Sequence, residues 1–365
     1  MYLLEIVCGD VMIYYEDKQY NFFELFNEEN GTLIRSNIIG TQDEAEMRSF
    51  PELIDIGIMG KCESAKAGIC SKAGIECYQN AIHSEKENMS LKDYEGILAQ
   101  SKNKVFQVAL GGAGDPNKHE CFGEILSLTR SYGIIPNLTT SGYNMTDNEV
   151  HCMKKFCGAV AVSYYSRLGK GGEELNSVTV NAIRKLVNAE CVTNIHYVVS
   201  DNTIDEAIHR MENNLWPSGI NAIIFILYKP VGLGRKDKVV KKDPRLQHFL
   251  NLALKGKYPF RIGFDTCFTS ALVQYDNYIG MASVDSCEAA KFSMYIDCEM
   301  NAYPCSFDNQ MGKYRVSLRN MNIIDAWNSM EFEQFRNAER EVCAVCSKRK
   351  LCGGGCKLGL GIDLC

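Results

Sequence analysis

The 365-residue sequence has no low-complexity run, no long apolar stretch and no excess of positive charge. Each absence excludes a class of function. Lysine and arginine number 39 against 45 aspartates and glutamates, a formal net charge of -6 with the cations scattered, so no basic face marks a nucleic-acid partner. The opening MYLLEIVCGD carries no basic n-region and reaches Asp10 before any long apolar run. That argues against a signal peptide or a membrane span, and the expectation is a cytoplasmic protein. Coiled-coil heptads are missing, and the six histidines include no His-x3-His pair, so no separate mononuclear metal site is indicated.

What the sequence has in plenty is cysteine. Seventeen are present, and their clustering gives the meaning: Cys62, Cys70 and Cys77 form one group, and nine lie between Cys267 and Cys365. In a reducing compartment, clustered cysteines are metal ligands more often than disulfides. Cys8, Cys121, Cys152, Cys157 and Cys191 stand apart on strand or helix patterns and read as small buried hydrophobes.

From residue 53 onward, short runs rich in β-branched residues alternate with amphipathic stretches. LIDIGIM (53–59), VFQVAL (105–110), IIPNLTT (134–140), AVAVS (159–163), VTNIHYVV (192–199) and AIIFIL (222–227) read as strands buried on both faces. Six successive βα units wound by right-handed crossovers predict an α/β fold, a parallel sheet curved into a partial (β/α)6 barrel over 51–256. Residues 1–50 read as a small β-rich N-terminal segment. Beyond residue 256 the periodicity gives way to loops, cysteines and a short helix near IIDAWNSMEFEQFRNAE. A segment like this buries little apolar area per residue and needs metal staples.

Ligands of parallel sheets collect at the C-terminal strand ends. The first strand runs into GKCESAKAGICSKAGIECYQ. Three thiolates there could hold three irons of a [4Fe-4S] cluster and leave one corner open. The second strand runs into LGGAGDPNKHE, where glycines allow close backbone approach and an acidic residue suits an ammonium. A three-cysteine loop after strand one, an aromatic after its last cysteine and a glycine-rich turn after strand two resemble the radical S-adenosylmethionine enzymes, over roughly 53–235. The spacing C-x7-C-x6-C departs from that family's C-x3-C-x2-C, which puts the middle ligand in question between Cys70 and Cys121. The resemblance implies cofactor contacts from Gly111, Gly112, Gly114, Asp115, Thr140, Ser141 and Ser163.

The chain ends on Cys343-x2-Cys346-x5-Cys352-x3-Cys356-x8-Cys365, preceded by Cys287-x17-Cys305. By spacing alone this also suits a zinc ribbon on an inert scaffold. It resembles the SPASM domain over 257–365, with one departure: Met300 stands where that pattern has a glycine. The resemblance implies two auxiliary clusters, an outer one on Cys343, Cys346, Cys352 and Cys365 and an inner one on Cys287, Cys305 and Cys356, with Cys267 or the substrate completing it. With the barrel, three [4Fe-4S] clusters and S-adenosylmethionine follow.

The implied chemistry is hydrogen abstraction by a 5′-deoxyadenosyl radical from a ribosomally made, cysteine-containing precursor peptide. The leading outcome is a thioether cross-link. The alternatives are formylglycine formation of the anaerobic sulfatase-maturating type or peptide epimerisation. A flavodoxin or ferredoxin would supply electrons, and the edge of the N-terminal β segment could hold a leader peptide by strand addition.

Overall fold

The computed structural model describes residues 2–5, 11–38, 47–165, 171–275 and 284–365. Cys8 lies outside the described residues. The chain opens with an antiparallel sheet of β1 (Tyr2–Glu5), β2 (Val11–Asp17), β3 (Phe22–Phe26) and β4 (Leu33–Asn37), paired in sequence order. In β3 the alternation of Phe22, Glu24 and Phe26 with more exposed residues buries one face.

The barrel follows as β5 (Leu53–Met59), the short helices α1 (Glu63–Lys66) and α2 (Ile69–Lys72), then α3 (Leu91–Ser101), β6 (Gln107–Gly112), α4 (Phe122–Ser131), β7 (Ile135–Thr140) and α5 (Asp147–Phe156). It continues through β8 (Val160–Ser163), α6 (Gly172–Asn188), β9 (Thr193–Val199), α7 (Ile204–Glu212), β10 (Ala222–Leu227) and α8 (Pro244–Lys255). The helices form where the apolar spacing allows one face to be buried. In α3, Tyr94, Ile97, Leu98 and Ser101 are buried at helical spacing, and Ser90 caps the start by accepting from the Asp93 N–H at 3.1 Å. A capping box formed by Thr146 and Glu149 starts α5.

All six expected strands are present, and four more join their sheet among the described residues. After α8 come β11 (Arg261–Phe264), α9 (Thr269–Leu272), β12 (Ser293–Ile296), β13 (Asn301–Tyr303) and β14 (Val316–Ser317). The helices α10 (Ile323–Trp327), α11 (Met330–Asn337), α12 (Glu341–Ala344) and α13 (Arg349–Cys352) complete the described fold. The large sheet runs β11-β10-β9-β8-β7-β6-β5-β12-β13-β14, parallel from β11 to β12 and antiparallel beyond. The C-terminal segment therefore does not merely follow the barrel. Through β12, paired with β5 from Ser293↔Leu53 to Ile296↔Ile56, it extends the barrel's own sheet.

One face of the parallel strands packs under the helices, where Ile54, Ile56, Val108, Leu110, Ile195 and Ile223 are fully enclosed. The opposite face, one residue out of phase, carries Asp55, Asn137, Asn194 and His196, all half-buried. It is the wall of a hollow whose mouth lies at the C-terminal strand ends.

Candidate functional site

The first cysteine group sits at that mouth. Cys62 precedes α1 and caps it, its Sγ accepting from the Ala65 N–H at 3.4 Å. Cys70 lies within α2, and Cys77 follows in the loop, so the unusually long spacing is the length of two inserted single-turn helices. All three thiols are half-buried. Burial pushes the Cys62 thiol up and takes Cys70 to about 12, and the charges of neighbouring group members push the same way. Cys121 stands just before α4, and burial, then Glu124 and Glu120, raise its thiol.

The glycine-rich turn packs directly on this loop. Gly112 has φ +118°, and a Cβ there would lie 2.5 Å from the Met59 carbonyl oxygen; at Gly114 it would lie 2.3 Å from that of Lys61. Only glycine permits both approaches. Asp115 accepts from the Ser141 N–H and from its hydroxyl, each at 2.6 Å, and from Ser64 Oγ at 3.5 Å. Thr140 donates to Asn117 Oδ1 at 2.8 Å and accepts from the Gly142 N–H at 3.0 Å. These side chains hold the ends of β6 and β7 together. Among the described residues, Gln79 Nε2 and Asn117 Nδ2 are buried donors with no protein partner. Such donors suit a polar ligand lying against them.

Ser163 ends β8, two residues before Tyr165, a residue the sequence did not single out. Burial, then the charges of Cys70, Asp115 and Cys77, push the Tyr165 hydroxyl well above its ordinary range, which puts its ring beside the first group. Asp55 was also missed. Burial lifts its carboxyl to about 6; Tyr295 is its register partner on β12, and Tyr78 lies near both.

The second gathering lies against the first. Cys267, Cys287, Cys305 and Cys356 line one small cavity with Phe307 and Phe335, and Cys352 of the terminal run reaches the same cavity. Burial, then the thiols of Cys287 and Cys267, push Cys305 far up; Cys287 is raised by burial and by Cys356. Phe307 carries the contact between the groups: its ring meets that of Tyr78, next to Cys77, at 5.2 Å, and Asn309 donates to Gln79 Oε1 at 2.9 Å.

The third lies outward. Arg340 Nη2 donates to Cys343 Sγ at 3.4 Å and approaches Cys365 Sγ at 3.9 Å, while its Nη1 pairs with Asp363 at 2.9 Å. Gly353, Gly354 and Gly355 all adopt positive φ, and burial raises the Cys352 thiol while the Gly355 and Gly354 amides oppose the shift. Such an amide nest stabilises a thiolate. Cys346 and Cys365 are exposed, and Cys298 lies outside both terminal groups, on the turn between β12 and β13.

Residues 287–348 match the family model described as an iron-sulfur cluster-binding domain, SPASM. This segment is a SPASM domain. No curated protein matches the sequence. Among solved structures, Streptococcus suis SuiB bound to S-adenosylmethionine shares 16% identity over 94% of each chain, with a TM-score of 0.68. SuiB bound to the precursor peptide SuiA gives 15%, again 94% of each chain, and 0.70. The protein anSMEcpe, with bound AdoMet and the Cp18Cys peptide, gives 18% over 84% of this chain and 89% of that one, with a TM-score of 0.59. At such identities the likeness is one of fold. The fold is that of radical S-adenosylmethionine enzymes with a C-terminal SPASM domain.

The donor chemistry of the SPASM region fits iron-sulfur clusters. Burial disfavours bare thiolates, and iron supplies the compensating charge. Among the described residues, no three His, Cys, Asp or Glu converge as one metal ion requires. Cys152, Cys157 and Cys191 pack against the main core, as small hydrophobes should. No helix among the described residues is long and apolar enough to cross a membrane.

Proposed function

We propose that the protein is an enzyme that modifies a ribosomally made, cysteine-containing peptide, using three [4Fe-4S] clusters and S-adenosylmethionine. Cys62, Cys70 and Cys77 hold the first cluster, Cys267, Cys287, Cys305 and Cys356 the inner one, and Cys343, Cys346, Cys352 and Cys365 the outer one. When bound, the first cluster and S-adenosylmethionine supply a 5′-deoxyadenosyl radical. The chain orients that chemistry. Gly111, Gly112 and Gly114 let the cofactor approach the backbone, and Asp115 offers an acceptor for its ammonium while Ser141 fixes the carboxylate. Thr140 and Ser163 stand at neighbouring strand ends. The hollow bounded by Asp55, Asn137 and His196 admits the peptide.

One observation carries this reading: a three-thiol group beside a glycine-rich turn, joined to a cysteine-lined cavity through the Tyr78–Phe307 ring contact and the Asn309–Gln79 hydrogen bond. Its decisive test is chemical. Anoxically reconstituted protein, given dithionite and S-adenosylmethionine, should release 5′-deoxyadenosine, and Cys62→Ala and Cys77→Ala should abolish the release. Wild-type protein that forms none overturns the reading.

The specific product we propose is a thioether cross-link, with a flavodoxin or ferredoxin as electron donor. The edges of the N-terminal sheet offer a leader peptide a strand-addition site. Cys267 in the inner group supports a second reading, because four thiols leave no place there for a substrate sulfur. Oxidation of one cysteine or serine to formylglycine needs that group only as an electron acceptor. Co-expression with a short cysteine-bearing peptide encoded beside the gene separates the outcomes. A cross-link removes two hydrogens and one alkylatable thiol, formylglycine leaves a hydrazide-reactive aldehyde, and epimerisation leaves the mass unchanged.

A further inference from the structure

Lys229 follows β10 and enters the interior with a side chain only 2% exposed. Burying an ammonium costs several kcal/mol unless it is well paired. Lys229 is paired with Asp265, whose own position is fixed because Oδ1 accepts from the Leu227 N–H at 3.2 Å and its N–H donates to Phe225 O at 3.0 Å. The ammonium also lies 4.8 Å from the centre of the Phe307 ring. Burial works against its charge, but Asp265, and then the thiols of Cys267 and Cys305, more than offset that cost. On its other side it acts on Tyr78. The cation thus sits between the first and inner thiol groups, beside the ring contact that joins them.

A purely structural role does not account for this placement, since a well-packed apolar side chain serves as well as a buried ion pair. Lys357 also lines the inner cavity, but its ammonium is turned onto the carbonyls of Arg336 and Ala338 at 2.7 and 3.0 Å. The Lys229 ammonium instead pairs with the Asp265 carboxylate on the side of Cys267 and Cys305. A cluster becomes more negative by one charge when reduced, and a fixed cation in a poorly screened interior favours the more negative state.

We propose that Lys229 sets the redox poise of the inner group, making the cluster on Cys267, Cys287, Cys305 and Cys356 easier to reduce. The step it favours transfers one electron from the peptide-centred radical to that cluster. The peptide is oxidised and releases one proton to water; the cluster is reduced by one electron. Lys229 acts through the thiolates and is a positioning residue, and the proposal rests on the cluster assignment above.

The test is a redox titration of anoxically purified protein, followed by electron paramagnetic resonance, in wild type, Lys229→Met, Lys229→Arg and Asp265→Asn. Lys229→Met should shift one midpoint to more negative potential and leave the other two in place, and Lys229→Arg should stay near wild type. Asp265→Asn should shift the same midpoint upward, because the ammonium is no longer half neutralised. Opposite signs distinguish tuning from structural damage. If Lys229→Met loses the cluster, the direction seen in Asp265→Asn decides. Unmoved midpoints with all clusters present, or shifts of one sign in both variants, overturn the proposal. Wild-type protein lacking the inner cluster overturns the functional reading and this inference with it.

Discussion

Met300 stands where the SPASM pattern has a glycine, and the backbone retains the glycine's conformation, with φ +66°. An L-residue there costs about 1–2 kcal/mol. The Met300 side chain is nonetheless 7% exposed and belongs to the main core, and removing such a side chain costs about 2–5 kcal/mol. Packing outweighs strain. Met300→Gly should therefore lower stability by about 1–3 kcal/mol despite restoring the pattern, as measured by thermal unfolding under anoxic conditions.

His196 sets a second residue-scale prediction. Burial lowers its pKa to about 4, so the folded protein holds it neutral. The unfolded chain takes up a proton near pH 6.5, and between about 6.5 and 4 the unfolded state binds more protons than the folded one. Stability contributed by neutral His196 is present above that window and is lost as pH falls through it. His196→Asn should flatten the pH dependence of unfolding there by about 1–2 kcal/mol.

Both residues show what the sequence discloses and what it hides. Cysteine spacing and the glycine turn are legible because metal and backbone geometry constrain them one by one. Asp55, Asn137, Asn194 and His196 sit at alternate positions in strands that read as apolar throughout. Their period of two is the signal that one face lines a hollow, although only the assembled sheet shows which face. Lys229 and Tyr165 carry no such pattern, and their roles arise from chain segments brought together by folding.

At the scale of elements, the six long strands follow from their β-branched runs, while β4, β11 and β12 do not. β4 is LIRSN, β11 is RIGF, and each is four or five residues long. β12 owes its existence to pairing with β5, more than two hundred residues earlier in the chain. Non-local pairing leaves no local signature. The terminal glycine run, by contrast, is both legible and testable. Gly355 has φ +71°, and a Cβ there would lie 2.1 Å from Asp363 Oδ1, the atom that accepts from the Cys356 N–H at 2.8 Å. Asp363 also holds Arg340, which bonds Cys343. Gly355→Ala should therefore disturb the inner group through Cys356 and the outer one through Arg340, lowering bound iron from about twelve to about four per chain in a colorimetric iron assay. The cluster on Cys62, Cys70 and Cys77 should remain.

On the scale of the whole molecule, Arg48 joins parts that the sequence shows only as separate stretches. It is fully buried, and its guanidinium donates to the carbonyls of Phe50, Pro51 and Lys104 at 3.3, 2.9 and 2.6 Å. The same group lies 3.7 Å over the Tyr15 ring and has Nε 3.0 Å from Glu24 Oε2 in the N-terminal sheet, an ion-pair distance without hydrogen-bond alignment. Its carbonyl accepts from Trp327 Nε1, in the SPASM domain, at 2.9 Å. Burial drives the Glu24 carboxyl well above its usual range, with Arg48 opposing the shift. Arg48→Met removes that opposition, so folding must either bury an unpaired carboxylate or take up a proton. Above about pH 4.3 the unfolded chain keeps Glu24 ionised, so the folded state binds the extra proton and stability falls as pH rises. Burial already lifts Glu24 to about 9 in the wild type. The cost of Arg48→Met should therefore be level between about pH 5 and 8 and grow as pH rises above about 9, where only the wild type can ionise Glu24 beside a cation. Adding Glu24→Gln removes the titrating group. The double variant should then show no such rise above about pH 9, as followed by chemical unfolding of the anoxic protein.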